Sequence, residues 1–299
     1  MRTSKTTRLG MLTALATVMA LAWATPSMAD TVKTVEPGKL TVGFNGDMPM
    51  TSYKDGQLIG TDGALLALIA QHLGLEVKPA QMEWSALIEA TKQGKVDIML
   101  GSMGWTKERS QVMQLTDPIY YFGTFLLQKK ETNYSTFADI SGHKIGTVTG
   151  FTLVPELKTV EGIGEVKLYD TSDGVLQDLV AGRLDMAILD PPLVQWGIVN
   201  HPEWKIKQVP LDPEPDKYPI MSTKYSVIFG VNKQEPELAA AISKIIAEDI
   251  WPNCINVKTM AKYGMGDKAW FVPPANDPRI GVDREKDYKS RTAPDSCFQ

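Results

Sequence analysis

The residues best suited to hold a small charged molecule stand at the ends of apolar runs. Gly101-Ser102-Met103-Gly104-Trp105-Thr106-Lys107-Glu108-Arg109 follows one such run and opens a predicted helix. Free N–H groups at a helix start attract an anion. The planar fork of Arg109 matches a carboxylate with two parallel bonds, and Ser102 and Thr106 add hydroxyl donors. A surface pairing of Arg109 with Glu108 or Asp117 fits the spacing equally well. Asp190 ends another apolar run, just before Pro191. Its carboxylate can meet an ammonium, or simply cap a helix or turn. Gly150-Phe151-Thr152 follows a third run and offers N–H groups and the Thr152 hydroxyl. Trp84, ahead of a helical stretch, is a flat wall for a side chain or a cation, or else plain packing.

These positions need a scaffold, and the pattern around them is alternating strand and helix. Leu40 to Phe44, Leu75 to Pro79 and Val96 to Leu100 read as strands. Between them lie helical stretches at Ala64 to Leu73 and after Trp84 to Lys92. A turn is predicted at Asp55-Gly56. A second round holds strands at Lys144 to Val148, Val166 to Tyr169 and Leu184 to Leu189, with a helix at Asp173 to Ala181. The rounds share a phrase: helix, Gly94-Lys95-Val96-Asp97, buried strand; then helix, Gly182-Arg183-Leu184-Asp185, buried strand. Alternation of this kind predicts parallel sheets in an α/β fold, and two rounds predict two similar lobes. Ligands of such sheets bind at the carboxyl ends of the strands.

Two extended apolar runs, Tyr120 to Lys130 and Tyr225 to Asn232, are expected to cross side by side as a two-strand hinge swinging near 124–130 and 225–231. The first lobe then comprises 30–125 and 230–299, and the second 126–229. Residues 237–249 form a helix that returns to the first lobe. The tail from about 252, rich in Pro, Gly and Asp, is expected to lie irregularly on the surface.

The N-terminus reads as an address. Arg2, Lys5 and Arg8 precede an apolar run from Leu9 to Ala24, and Pro26 to Ala29 supplies a break and small-x-small cleavage pattern. This predicts a secretory signal peptide over 1–29, the run being short for a membrane span. No cysteine marks the cleavage point for a lipid anchor. Removing the leader leaves 28 basic residues against 35 acids, a formal charge of −7. That balance disfavours nucleic acid and anionic lipid. Export makes a disulfide between Cys254 and Cys297 plausible, two unpaired thiols being the alternative. His72, His143 and His201 have no ligand-spaced partner, so no metal or other cofactor is called for.

The chain resembles family-3 bacterial extracellular solute-binding proteins, the amino-acid receptors of ABC importers. The resemblance runs from about 38 to 250. It rests on Asp55-Gly-Gln-Leu-Ile-Gly60, Trp84 with Leu87-Ile88, Gly94-Lys-Val-Asp97, Thr106-Lys-Glu-Arg109, Thr116-Asp-Pro-Ile-Tyr120 and Gly182-Arg-Leu-Asp185. It implies a two-lobe periplasmic binding protein with the ligand between the lobes. By the same resemblance Arg109 clamps an α-carboxylate with help from Thr152, and Asp190 receives the α-ammonium. Trp84 stacks on the guest's side chain, and the Ser102 loop contacts both ends. Gly104 departs from the pattern: many members carry Ser or Thr there, and this chain keeps only a backbone N–H. Asn45, with Asp47 two residues on, stands roughly where members for cationic amino acids have an acid. With Met48, Met50, Met103 and Trp105 nearby, this argues against a strict lysine or arginine receptor. The expected partners are a zwitterionic guest and an ABC permease, and the protein is expected to be a monomer. An enzyme on this scaffold, such as a dehydratase or lyase, would have only Asp47 and Glu83 as spare acids. A ligand-sensing module would need the same pocket.

Overall fold

The computed structural model describes residues 32–299, so the leader predicted over 1–29 lies outside the described residues. β1 (Lys39–Phe44) leads into a hairpin of β2 (Ser52–Lys54) and β3 (Gln57–Ile59), then α1 (Thr61–Leu73), β4 (Glu76–Gln81), α2 (Trp84–Lys92), β5 (Ile98–Met99), α3 (Lys107–Val112) and β6 (Met113–Leu115). β7 (Tyr120–Phe122) and β8 (Phe125–Lys129) follow, then β9 (Lys144–Val148), α4 (Val154–Leu157), β10 (Glu165–Tyr169), α5 (Ser172–Val180), β11 (Met186–Ala187), α6 (Pro191–Asn200) and β12 (Ile206–Pro210). The chain returns through β13 (Tyr225–Val227) and β14 (Gly230–Asn232) to α7 (Pro236–Ile245) and α8 (Ile255–Ala261).

The strands form two five-stranded sheets, ordered β4-β1-β5-β14-β6 and β10-β9-β11-β8-β12. The pattern is the same in each. β1 sits between parallel neighbours β4 and β5, and β9 between parallel neighbours β10 and β11. An antiparallel strand then flanks each trio. The phrase repeated in the sequence has a physical basis here. Gly94 and Gly182 follow α2 and α5 with φ of 66° and 74°, a region glycine enters without steric cost. The Asp that comes three residues later ties the next strand to its neighbour. Asp97 accepts from the Thr41 N–H at 2.7 Å, and Asp185 accepts from the Lys144 N–H at 2.8 Å. β1 is buried at five consecutive positions, Leu40 to Phe44, as a parallel strand covered on both faces must be.

The crossing between lobes is shorter than the sequence indicates. β7 and β13 pair antiparallel as a separate two-stranded ribbon, Tyr120 opposite Val227 and Phe122 opposite Tyr225. The remainder of each apolar run belongs to a sheet: β8 lies within the second, β14 within the first. The two halves of each run bury their apolar side chains against different partners, which a largely apolar stretch does not reveal. α6 is also absent from the sequence reading. Pro191 and Pro192 occupy its first turn, where proline's missing N–H is no loss.

Past Phe271 the tail keeps the irregular, largely exposed path expected of it, but it is anchored more firmly than its composition indicates. It is tied down by the disulfide Cys254–Cys297 and packs into the first lobe, with Met260, Met265 and Phe271 in its core. Arg279 is fully buried. Its guanidinium donates to the carbonyls of Thr116 at 2.7 Å and Leu115 at 3.3 Å and pairs with Asp283 at 2.8 Å. Arg284 and Arg291 both reach Asp117. The tail therefore grips the segment that leads into β7. Polar composition predicted a loose surface path; buried charge satisfied by distant carbonyls is invisible to composition.

Candidate functional site

Where the two lobes face each other, a cleft is lined by Trp84, Ser102, Gly104 and Arg109 from one side and by Phe151, Thr152, Leu189 and Asp190 from the other. Phe122, Thr124 and Tyr225 form its floor at the crossing strands. Six of the predicted binding residues therefore share one cavity.

Arg109 reaches this cavity because Thr106 caps α3: its Oγ1 accepts the Arg109 N–H at 3.0 Å. That bond occupies an N–H at the helix start, so the positive charge available to an anion is chiefly the guanidinium. The side chain is buried and lies with its guanidinium carbon 5.8 Å from the Trp84 ring centre. Nη1 donates to the Gly104 carbonyl at 2.6 Å, and Nη2 donates across the cleft to the Gly150 carbonyl at 3.0 Å. A guanidinium carries five N–H donors, so these two bonds leave others for a guest. No pairing of Arg109 with Glu108 or Asp117 occurs among the described residues; Asp117 is taken by the arginines of the tail. Burial lowers the Arg109 pKa to about 10, against the raising effect of Asp190, and the group stays charged at neutral pH.

Asp190 stands at the N-cap position of α6, yet its side chain makes no capping bond. The carboxylate is thus not spent on the helix. Burial, followed by the nearby charges of Asp47 and Asp62, pushes its pKa well above the usual carboxylate range, while Arg109 pulls it down. A cationic group arriving beside Asp190 would relieve this cost. Trp84 is the first residue of α2 rather than a loop residue. Its ring meets Phe151 of the opposite lobe edge-on at 6.3 Å, and its buried Nε1 has no hydrogen-bond partner among the described residues. A Cβ on Gly104 would fall 3.2 Å from the Tyr225 ring and 3.4 Å from Thr152 Oγ1, so the lobes meet closely over this bare backbone.

Asn45 and Asp47 are not among the cleft residues. They line a neighbouring groove that shares Trp84 with it and includes Gln81, Glu83 and Asp173. Asp47 accepts from Asn45 Nδ2 at 2.9 Å and from the Ser172 hydroxyl of the other lobe at 2.7 Å. Its carboxylate serves an inter-lobe contact, with burial raising its pKa.

Sequence reasoning missed the floor residues and Asp62. The only local signals were polar residues inside apolar crossing runs (Thr124, Tyr225) and an acid at the start of an apolar helix. Asp62 is buried beneath the Ser102 loop. It accepts from the Ser102 N–H at 2.7 Å, the Tyr120 hydroxyl at 3.0 Å and the Thr61 hydroxyl at 2.9 Å. These bonds hold Ser102 at its positive φ of 58°. Burial nevertheless raises the Asp62 pKa from 3.8 to about 6. The folded chain then binds more protons than the unfolded chain between about pH 4 and 6, so stability falls as pH rises through that window. The contribution is about 3 kcal/mol at most. Melting curves of Asp62→Asn should show this decline flattened relative to the parent; an unchanged slope would assign the decline to other groups.

The family model for bacterial extracellular solute-binding proteins, family 3, matches residues 40–250. The L-cystine-binding protein TcyJ of Escherichia coli (strain K12) is 29% identical over 163 residues, 53% of this chain and 61% of that protein. The chain thus spans about three fifths of the length of that relative. The histidine-binding periplasmic protein of Salmonella typhimurium (strain LT2) is 26% identical over 224 residues, 71% of this chain and 82% of that one. Among solved structures, an ancestral arginine-binding protein bound to arginine matches with a TM-score of 0.65 and 26% identity, covering 76% of this chain and 98% of that one. The family and these relatives are binding proteins, and none supports the enzymatic alternative. With two duplicated α/β lobes, a cleft between them and a family match over most of its length, the chain belongs to the bacterial extracellular solute-binding proteins, family 3.

Proposed function

We propose that this protein is exported to the periplasm, with cleavage after Ala29, and works as a monomer that captures an amino acid or amino-acid-like zwitterion for the permease of an ABC importer. The observation that carries this reading is the placing of Arg109 and Asp190 on opposite lobes of one cleft. A guanidinium at one end and an acid at the other suit a guest with a carboxylate and an ammonium. Thr152 and the Gly104 N–H flank the carboxylate end, Ser102 reaches both ends, and Trp84 with Phe151 encloses the side chain. The β7–β13 ribbon is the hinge about which the lobes open and close. Contacts made only on closure, such as Asp47 with Ser172 and Arg109 with the Gly150 carbonyl, favour the state that encloses the guest.

A thermal-shift screen of the purified mature protein against amino acids, polyamines, opines and small organic acids tests the reading. A zwitterion at a hundred times its Kd adds about 2.7 kcal/mol of stability, so the true ligand class should stand clear of the rest. The reading is wrong if polyamines or simple organic acids raise the melting temperature while every zwitterion leaves it unchanged.

A further inference from the structure

The floor of the cleft has chemistry that the two charged ends of a zwitterion do not use. Tyr225 is 6% exposed and Thr124 is 7% exposed, and both line the cleft that contains Arg109 and Asp190. Each sits on one of the crossing segments: Tyr225 opens β13, and Thr124 lies between β7 and β8. The buried hydroxyl oxygens of both lack hydrogen-bond partners among the described residues. Burial raises the Tyr225 pKa and the neighbouring Thr124 hydroxyl works against that rise, yet the pair falls outside hydrogen-bond geometry. Even a direct bond between them would use one O–H and leave the other, together with several lone pairs, unsatisfied.

Buried hydroxyls without partners are costly, at roughly 1–3 kcal/mol each, and they are uncommon in folded proteins. Two in one wall, beside the charges that would fix a guest's ends, indicate that the guest supplies the missing partners. Resting on the reading proposed above, we propose that Thr124 and Tyr225 form a side-chain subsite for an uncharged hydrogen-bonding group, so that the guest is a hydroxyl- or amide-bearing zwitterion. An aliphatic guest would seal both hydroxyls away unsatisfied. A guest with a third charge would meet only neutral oxygens here, because burial raises the Tyr225 pKa and keeps the phenol protonated. Each hydroxyl both donates and accepts, which matches an alcohol or an amide and gives no advantage to a carboxylate over a neutral group.

The experiment compares guests of matched shape by titration calorimetry: serine with alanine, threonine with valine, and asparagine with leucine. The wild-type protein should prefer the polar member of at least one pair by tenfold or more, since sites built to bond a polar group reject analogues lacking it. Tyr225→Phe and Thr124→Val each remove one hydroxyl with little change of shape, and each should shrink that preference by tenfold or more. Melting temperatures confirm that the variants fold, and Thr124→Ser, which keeps the hydroxyl, should restore the preference lost in Thr124→Val. A preference that survives both substitutions overturns the subsite. So does a loss of affinity equal for both members of a pair, which would place these hydroxyls on the common carboxylate. Wild-type preference for the apolar members, or for a cationic amino acid, overturns it as well. If no zwitterion binds the wild-type protein, the parent reading fails and the subsite with it; that result is distinct from zwitterion binding that depends on Arg109 but ignores Thr124 and Tyr225.

Discussion

Replacing Arg109 by alanine is expected to weaken zwitterion binding by ~30-fold to several-thousand-fold, the equivalent of about 2–5 kcal/mol. On the proposed reading, the substitution would leave the guest's carboxylate in the cleft lined by Trp84, Thr152 and Gly104 with no positive charge facing it. It also deletes the bond from Nη2 to the Gly150 carbonyl, which holds the lobes together. The loss therefore combines an unpaired buried charge with weaker closure. Arg109→Lys separates the two. Lysine keeps a point charge and loses the planar fork, so its affinity should fall between those of the wild type and the alanine variant. Isothermal titration of all three proteins is the measurement. Equal affinities would show that Arg109 is a structural bridge and that the carboxylate binds elsewhere.

The second large effect lies far from the cleft. Cys254→Ser combined with Cys297→Ser should destabilise the protein by about 4 kcal/mol on the loop-entropy scale. The bridge spans 43 residues of sequence, a long loop whose closure restricts the unfolded chain. Folding of that loop places Phe271 in the first lobe's core and buries Arg279 on the carbonyls of Leu115 and Thr116. Without the bridge, these contacts must order the tail unaided. A drop in melting temperature of roughly 8–16 °C is expected for a domain of this size, accompanied by earlier proteolysis past Cys254. If the double variant melts like the wild type and its tail resists protease, the non-covalent contacts alone hold the tail.

The elements of the fold were largely legible because hydrophobic periodicity is a local property. β9 matched its predicted bounds, and α1, α2 and α5 differed from theirs by a few residues at most. The duplicated phrase foretold two lobes of similar architecture, since Gly94, Asp97, Gly182 and Asp185 act within or beside their own units; the matching strand orders appear only in the fold. The crossing ribbon was only partly legible. Tyr120 to Lys130 and Tyr225 to Asn232 are largely apolar along their length, and what divides each between a ribbon and a sheet is the partner it meets.

By itself, the sequence determined which residues have the chemistry to grip a dipolar molecule and which strand ends carry them, because side-chain type and local pattern need no distant information. Arg109, Asp190, Thr152, Trp84 and Ser102 follow from that, and Gly104 from the family resemblance. Only the tertiary structure decided that these six share a cavity while Asn45 and Asp47 line a separate groove, that Asp62 supports the Ser102 loop, and that the Thr124 and Tyr225 hydroxyls lack partners among the described residues. It also decided that the tail is part of the core. Each of these depends on which distant segments meet, and burial and unmet hydrogen bonds exist only once they have met.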